Sequence, residues 1–95
     1  MNGKECSFTW NPRKEAINVK KHGINFRMAE KAFDDKDRKI YTDAKHSIKE
    51  ARYFCLGRVG DQIITVRFTY RGKTIRIIGA GYWRKGRQYY YEEDC

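Results

Sequence analysis

The sequence predicts an α+β fold in which an N-terminal strand and two helices pack on one face of a mainly antiparallel β-sheet, with a helical segment at the C-terminus. Three observations carry this reading. Helix start and stop signals frame Pro12 to His22 and apolar residues follow helical spacing from Phe26 to Phe33, the period shifts to two from Ala51 onward, and turn residues stand at Gly23, Gly60-Asp61 and Arg71-Gly72. The 95 residues are expected to form a single domain, 1–95, large enough to bury a modest core.

Ser7 to Trp10 reads as a short strand, and Asn11-Pro12 supplies an N-cap and a proline at the first helical position, where its missing N–H is harmless. A helix follows to His22, with Gly23 placed to end it in the left-handed conformation and Lys20, Lys21 and His22 complementing the dipole. Asn25 caps a second short helix whose Phe26, Ala29, Ala32 and Phe33 form a narrow apolar stripe ending near Asp34-Asp35. Residues 38–42 suggest a short strand and Asp43 to Lys49 a polar loop. Then comes a three-strand meander, the third strand running from Lys73 to Gly79, and a helical segment from about Trp83 to Glu93 despite Gly86.

If both meander turns are two-residue loops, Val59 opposes Gln62 and Phe54 opposes Arg67 in the first hairpin, and Tyr70 pairs with Lys73 in the second. One face then carries Tyr53, Cys55, Val66, Phe68, Tyr70, Ile75 and Ile77 for the helices to cover. On the other, Arg67 lies directly opposite Arg76, Thr69 opposite Thr74, with Arg52 on the neighbouring strand. Two guanidinium groups about 7 Å apart repel by roughly 2 kcal/mol at an effective dielectric near 20, so a counter-ion is expected. Glu50 or a C-terminal acid could supply it within the fold; a phosphate, matched to the planar guanidinium fork, is the other candidate.

The charge favours an anionic partner: 21 Lys and Arg against 12 Asp and Glu give a formal +9, and no acid lies between Gln62 and Tyr91. Basic residues interleaved with Trp83 and the run Tyr89-Tyr90-Tyr91 suit single-stranded RNA, charge for the backbone and stacking for the bases. Three widely spaced cysteines (Cys6, Cys55, Cys95) suggest a reducing compartment rather than disulfides or zinc, and no apolar run suits a signal peptide or membrane span, so a cytoplasmic protein with no membrane association is expected. No acidic cluster or glycine-rich phosphate loop calls for a metal or cofactor. RNA cleavage can run without either, by deprotonation of the 2'-hydroxyl, arginine stabilisation of the phosphorane and protonation of the leaving 5'-oxygen. His22 could move such a proton or simply satisfy carbonyls at the helix end; His46 gives a weaker signal.

The order of motifs adds a further reading. Phe8-Thr-Trp-Asn-Pro12, Lys20-Lys-His-Gly23 with Asn25-Phe26, Ala32-Phe-Asp-Asp35, Glu50-Ala-Arg52 leading to Leu56-Gly57, Arg71-Gly72, Ile75-Arg-Ile-Ile78 and Tyr91-Glu92 together resemble the BrnT family of type II toxin-antitoxin toxins, over about Phe8 to Glu93. The resemblance implies a RelE-like fold, a ribonuclease that limits translation, and a BrnA-like antitoxin whose DNA-binding domain brings the complex to operator DNA. It makes His22, Arg52 and Arg76 the leading site positions. Arg67 joins them from the strand register and Trp83 from composition, with Lys20, Lys21, Arg84, Lys85 and Arg87 expected to bind RNA. Where relatives commonly carry Ser-Ala-Arg after the Ile-Arg-Ile-Ile strand, this chain has Gly79-Ala80-Gly81, lacking a hydroxyl and a guanidinium. Arg84 or Arg87 is a candidate to replace the charge. Two alternatives stay open: a module that binds RNA or an antitoxin but has lost cleavage, and a DNA-binding repressor subunit, although no convincing helix-turn-helix is present.

Overall fold

The computed structural model describes residues 7–92. Five strands, β1 (Ser7–Trp10), β2 (Lys39–Thr42), β3 (Tyr53–Val59), β4 (Gln62–Arg71) and β5 (Thr74–Gly81), form one sheet in the order β1-β5-β4-β3-β2. The pairs from β2 to β5 are antiparallel, whereas β1 runs parallel to β5, so the sheet is mixed. The N-terminal strand is therefore an edge of the sheet and does not pack on its face. The crossover between these parallel strands carries the helices.

Helix α1 (Pro12–His22) starts where Asn11 Oδ1 accepts from the Arg13 and Lys14 amides, and ends at Gly23, whose φ of 71° is left-handed. Helix α2 (Phe26–Glu30) is capped by Asn25, whose side chain accepts from the Met28 amide, and it tightens into a 3₁₀ turn over Lys31–Asp34. The second helix is thus shorter than its apolar stripe suggested, with the last turn overwound. A further 3₁₀ turn, Ala44–His46, occupies the expected polar loop, and Asp43 is buried at its start.

One sheet face and these helices enclose the core: Ile24, Phe26, Ala29 and Ala32 meet Cys55, Ile64, Val66, Phe68, Ile75, Ile77 and Ala80. Phe26 and Phe68 are completely buried, each stabilising the fold by about 1.5–3 kcal/mol. Tyr70 belongs to this face, its ring against Tyr53 and Phe68. The 3₁₀ turn sits so close to the sheet that a Cβ at Gly57 would fall 2.1 Å from the Ala32 carbonyl oxygen.

The first hairpin pairs as the sequence predicts, with Val59 opposite Gln62 and Phe54 opposite Arg67. The second does not. Its loop is Gly72-Lys73, with Gly72 at φ 65° in the first loop position, so Arg71 pairs with Thr74 and the register moves by two residues. Beyond Phe68↔Ile77 the register shifts again, and Arg67 faces Gly79. Arg67 is therefore not opposite Arg76, nor Thr69 opposite Thr74; Arg76 lies across from Thr69.

The opposite sheet face is only partly open. Helix α3 (Arg84–Tyr91) packs on β4 and β3, with Gly86 so tight that a Cβ there would come 2.1 Å from Thr65 Oγ1 and 3.4 Å from Leu56 Cδ2. Glu93, the expected end of this helix, lies outside the described residues, as do Cys6 and Cys95.

Candidate active site and nucleic-acid interface

On the face that α3 half covers, β5 presents two glycines in alternate positions, and each makes room for a side chain arriving from elsewhere. A Cβ at Gly79 would stand 3.1 Å from Arg67 Nη2 and 3.4 Å from Nε, so the guanidinium lies over this residue. At Gly81 a Cβ would stand 3.0–3.3 Å from Trp83 Cζ2, Cε2 and Cη2: the indole is folded back onto the strand that precedes it. With one residue, Ala80, between the positions, arginine and indole occupy adjacent places along β5, about 7 Å apart by strand rise.

By crossing Gly79, Arg67 reaches α1. There it lines a cavity of about 230 Å³ with Lys14, Ile17, Asn18, Lys21, His22 and Ile78. Lys14, Ile17, Asn18, Lys21 and His22 fall on one helical stripe, at i, i+3, i+4, i+7 and i+8. Asn18 is 8 % exposed and fixes α1 against β5: its Nδ2 donates to the Ile24 carbonyl at 2.9 Å and its Oδ1 accepts from the Ala80 amide at 3.1 Å. The cavity wall holds three cations and an imidazole with no carboxylate. Arg67 Nε is buried and has no hydrogen-bond partner among the described residues, a donor left available to an anion.

The remaining arginines diverge. Arg76 is diagonal to Arg67 across the β4–β5 ladder and its Nη1 donates to Thr9 Oγ1 at 3.3 Å. Arg52, just before β3, pairs with Glu50 at 3.4 Å, and Glu50 also meets Arg71 at 3.5 Å. The internal counter-ion foreseen for the arginine face thus serves Arg52 and Arg71. The structure brings together His22, Lys21, Arg67 and Trp83; Arg76 stands beside them and Arg52 apart. Lys20 is exposed on α1. On α3, Arg84 is exposed, Arg87 lies 5.2 Å over the Tyr91 ring, and Lys85 borders a second cavity.

That cavity, about 480 Å³, lies between α3 and the sheet and is lined by Tyr41, Thr42, Phe54, Leu56, Thr65, Trp83, Lys85, Gly86 and Tyr89. Trp83 joins the two cavities, since its indole meets the His22 ring edge-on at 5.9 Å. The sequence reading missed Lys14, Asn18 and Tyr41. The stripe on α1 was a usable signal for the first two; nothing in the sequence marked the third.

Other reactive groups are accounted for structurally. Burial pushes the Cys55 thiol up to about 12, so it stays protonated in the core. Burial also pushes at the Asp35 carboxyl, but hydrogen bonds from the Tyr90 hydroxyl and the Arg58 and Asp37 amides outweigh it and hold the group below its ordinary value. His46 Nδ1 contacts the buried Asp43 carboxylate at 2.9 Å, in a turn tied to the Arg52 backbone, where the Asp43 amide donates to the Arg52 carbonyl at 2.7 Å. Among the described residues no group of three or more His, Cys, Asp and Glu is disposed to hold a metal ion.

No curated protein matches the sequence. The family model of a ribonuclease toxin, BrnT, of type II toxin-antitoxin systems matches residues 10–86, from the end of β1 into α3. That span includes the α1 stripe, the arginines at 52, 67 and 76, and the glycine pair with Trp83, and it covers most of the chain: this protein belongs to the BrnT family of ribonuclease toxins.

Proposed function

We propose that the chain is a metal-independent endoribonuclease of RelE-like fold, a single toxin domain that limits translation in the cytoplasm and is neutralised by a BrnA-like antitoxin, through which it meets operator DNA. One observation carries the mechanism: His22, Lys14, Lys21 and Arg67 share one cavity, with the Trp83 indole against the histidine.

A scissile phosphate sits against the planar Arg67 guanidinium, whose Nε lacks a partner among the described residues, with Lys14 and Lys21 adding charge from the helix. His22 takes the proton from the 2'-hydroxyl, whose oxygen attacks phosphorus. The phosphorane's growing charge is met by Arg67 and Arg76, and the bond to the 5'-oxygen breaks as that oxygen takes a proton from water, leaving a 2',3'-cyclic phosphate and a 5'-hydroxyl, after which the His22 imidazolium returns its proton to the hydroxide. Arg52, neutralised by Glu50, contributes to the field of the face more than to the reacting atoms. The lining of cations and imidazole, with no carboxylate to hold a divalent ion, supports a metal-free route.

The glycine pair favours cleavage over the reading as a binding module. A void at Gly79 and Gly81 would have spoken for lost function, but Arg67 and Trp83 occupy these places and bring a guanidinium to the same strand. Incubating the protein with end-labelled RNA in excess EDTA, alongside His22→Gln, Arg67→Ala and Arg76→Ala, tests the proposal. Fragments ending in 2',3'-cyclic phosphate are expected from the wild type, with Arg67→Ala slowed by about 100-fold or more. RNA that stays intact until magnesium is added overturns the metal-free route. Absence of cleavage under both conditions, with no growth arrest on expression without antitoxin, restores the binding-module reading.

A further inference from the structure

The larger cavity has no part in the cleavage chemistry, yet its shape and position constrain what could occupy it. Two of its aromatic walls come from α3 and its cap: Trp83 at the helix start and Tyr89 six residues on, about 9 Å along the axis. Tyr89 is tilted against Tyr41 at 5.8 Å on strand β2, and Phe54 and Leu56 form the floor. Trp83 is 37 % exposed and Tyr89 42 %, so both rings are reachable from solvent. Lys85 stands at the rim, Arg84 and Arg87 are exposed on the same helix, and no acid lies between Gln62 and Tyr91. A flat apolar ring attached to a polyanion suits this surface better than an apolar peptide would.

The connection to the anion cavity narrows the choice further. Trp83 is both a wall of the aromatic cavity and the ring in contact with His22, and Gly81 holds it there, next to the Arg67 guanidinium over Gly79. A phosphate at Arg67 therefore has an aromatic cavity one step along β5. We infer that this cavity is a nucleobase subsite: with the scissile phosphate at His22 and Arg67, the base of a neighbouring nucleotide inserts between Trp83 and Tyr89, with its backbone along Lys85. The inference rests on the ribonuclease reading and adds to it a place for a base. It makes Trp83 and Tyr89 substrate-binding residues, and it assigns Gly81 the role of positioning the indole.

The test uses two uncleavable 2'-O-methyl hexanucleotides, one of adenines and one wholly abasic, which carry equal charge. Binding is read by fluorescence anisotropy and by Trp83 emission in a Trp10→Phe background. The adenine strand is expected to bind roughly 5- to 150-fold more tightly than the abasic one and to quench Trp83. Trp83→Ala and, separately, Tyr89→Ala are expected to remove most of that difference while leaving the abasic strand's affinity unchanged. Equal affinity for the two strands, with RNA still cleaved, overturns the subsite and leaves the cavity to an apolar protein segment. A base preference that survives both variants overturns it as well, by placing the base elsewhere. If neither strand binds and RNA is not cleaved, the ribonuclease reading itself fails.

Discussion

Asn18 is buried and polar, and both ends of its amide are engaged with groups that would otherwise be unpaired, the Ile24 carbonyl and the Ala80 amide. Asn18→Ala should lower stability by about 2–3 kcal/mol in urea denaturation, because two buried backbone groups lose their partner; a change below 0.5 kcal/mol would mean that water replaces it readily. This residue also shows where sequence reading stops. One of its partners, Ala80, lies 62 positions away, so the α1 stripe could place the residue on the helix but not show what it holds. His22 and Lys21 were legible as a basic helix end. Arg67 was legible as a strand arginine on the right face, but not its direction. That direction depends on Gly79 standing opposite, hence on a loop at Gly72-Lys73 and a register shift near Phe68, and counting from Arg71-Gly72 reproduces neither.

Helix α3 is held at its far end by groups outside itself. The Tyr90 hydroxyl donates to Asp35 Oδ2, in the loop before β2, and Lys39 Nζ donates to the Tyr89 and Glu92 carbonyls. Tyr90 is pushed up to about 12, by burial first and then by the Asp35 hydrogen bond. Because the folded Asp35 is depressed, its contribution is full above the unfolded value of 3.8 and is lost as pH falls through the folded one. The raised Tyr90 works in the other direction: its contribution is full below 10 and disappears as pH rises through about 12. Tyr90→Phe should therefore cost about 1 kcal/mol near neutrality, and its thermal-stability deficit should shrink below pH 4. A deficit that stays constant down to pH 2.5 would show that the tyrosine acts by packing alone. The start and end of this helix were close to legible from Trp83 and Glu93, but the surface it covers was not. The Leu56 and Thr65 positions beneath it read as an open face because alternation does not show what lies above a strand.

The whole molecule separates its charges, with Asp34, Asp35 and Asp37 near the 3₁₀ turn and an unbroken acid-free stretch through β4, β5 and α3. If Arg67, Arg76 and Lys21 each neutralise one phosphate of a single strand, log affinity against log salt should have a slope near −2. Arg67→Ala should reduce its magnitude by about 0.7, whereas Arg52→Ala should leave it nearly unchanged, since Glu50 already holds that charge. Equal effects from the two variants would show that the ion pair opens to RNA. The charge and the class of partner were legible in composition, and the family in the order of its motifs. Many motif residues turn out to hold the fold: Asn11 and Asn25 cap helices, Gly57 admits the 3₁₀ turn, and Asp35 gathers three donors. The end restraints of α3 have a consequence for assembly. The helix has no side-chain cap at Trp83 and a glycine in its first turn, and it is eight residues long, below the roughly 12–15 at which isolated helices are even marginal in water. Its helical form is borrowed from Lys39, Asp35 and the sheet, which must be in place first. The wall that Trp83 and Tyr89 give the larger cavity is therefore complete only once α3 is docked on the sheet.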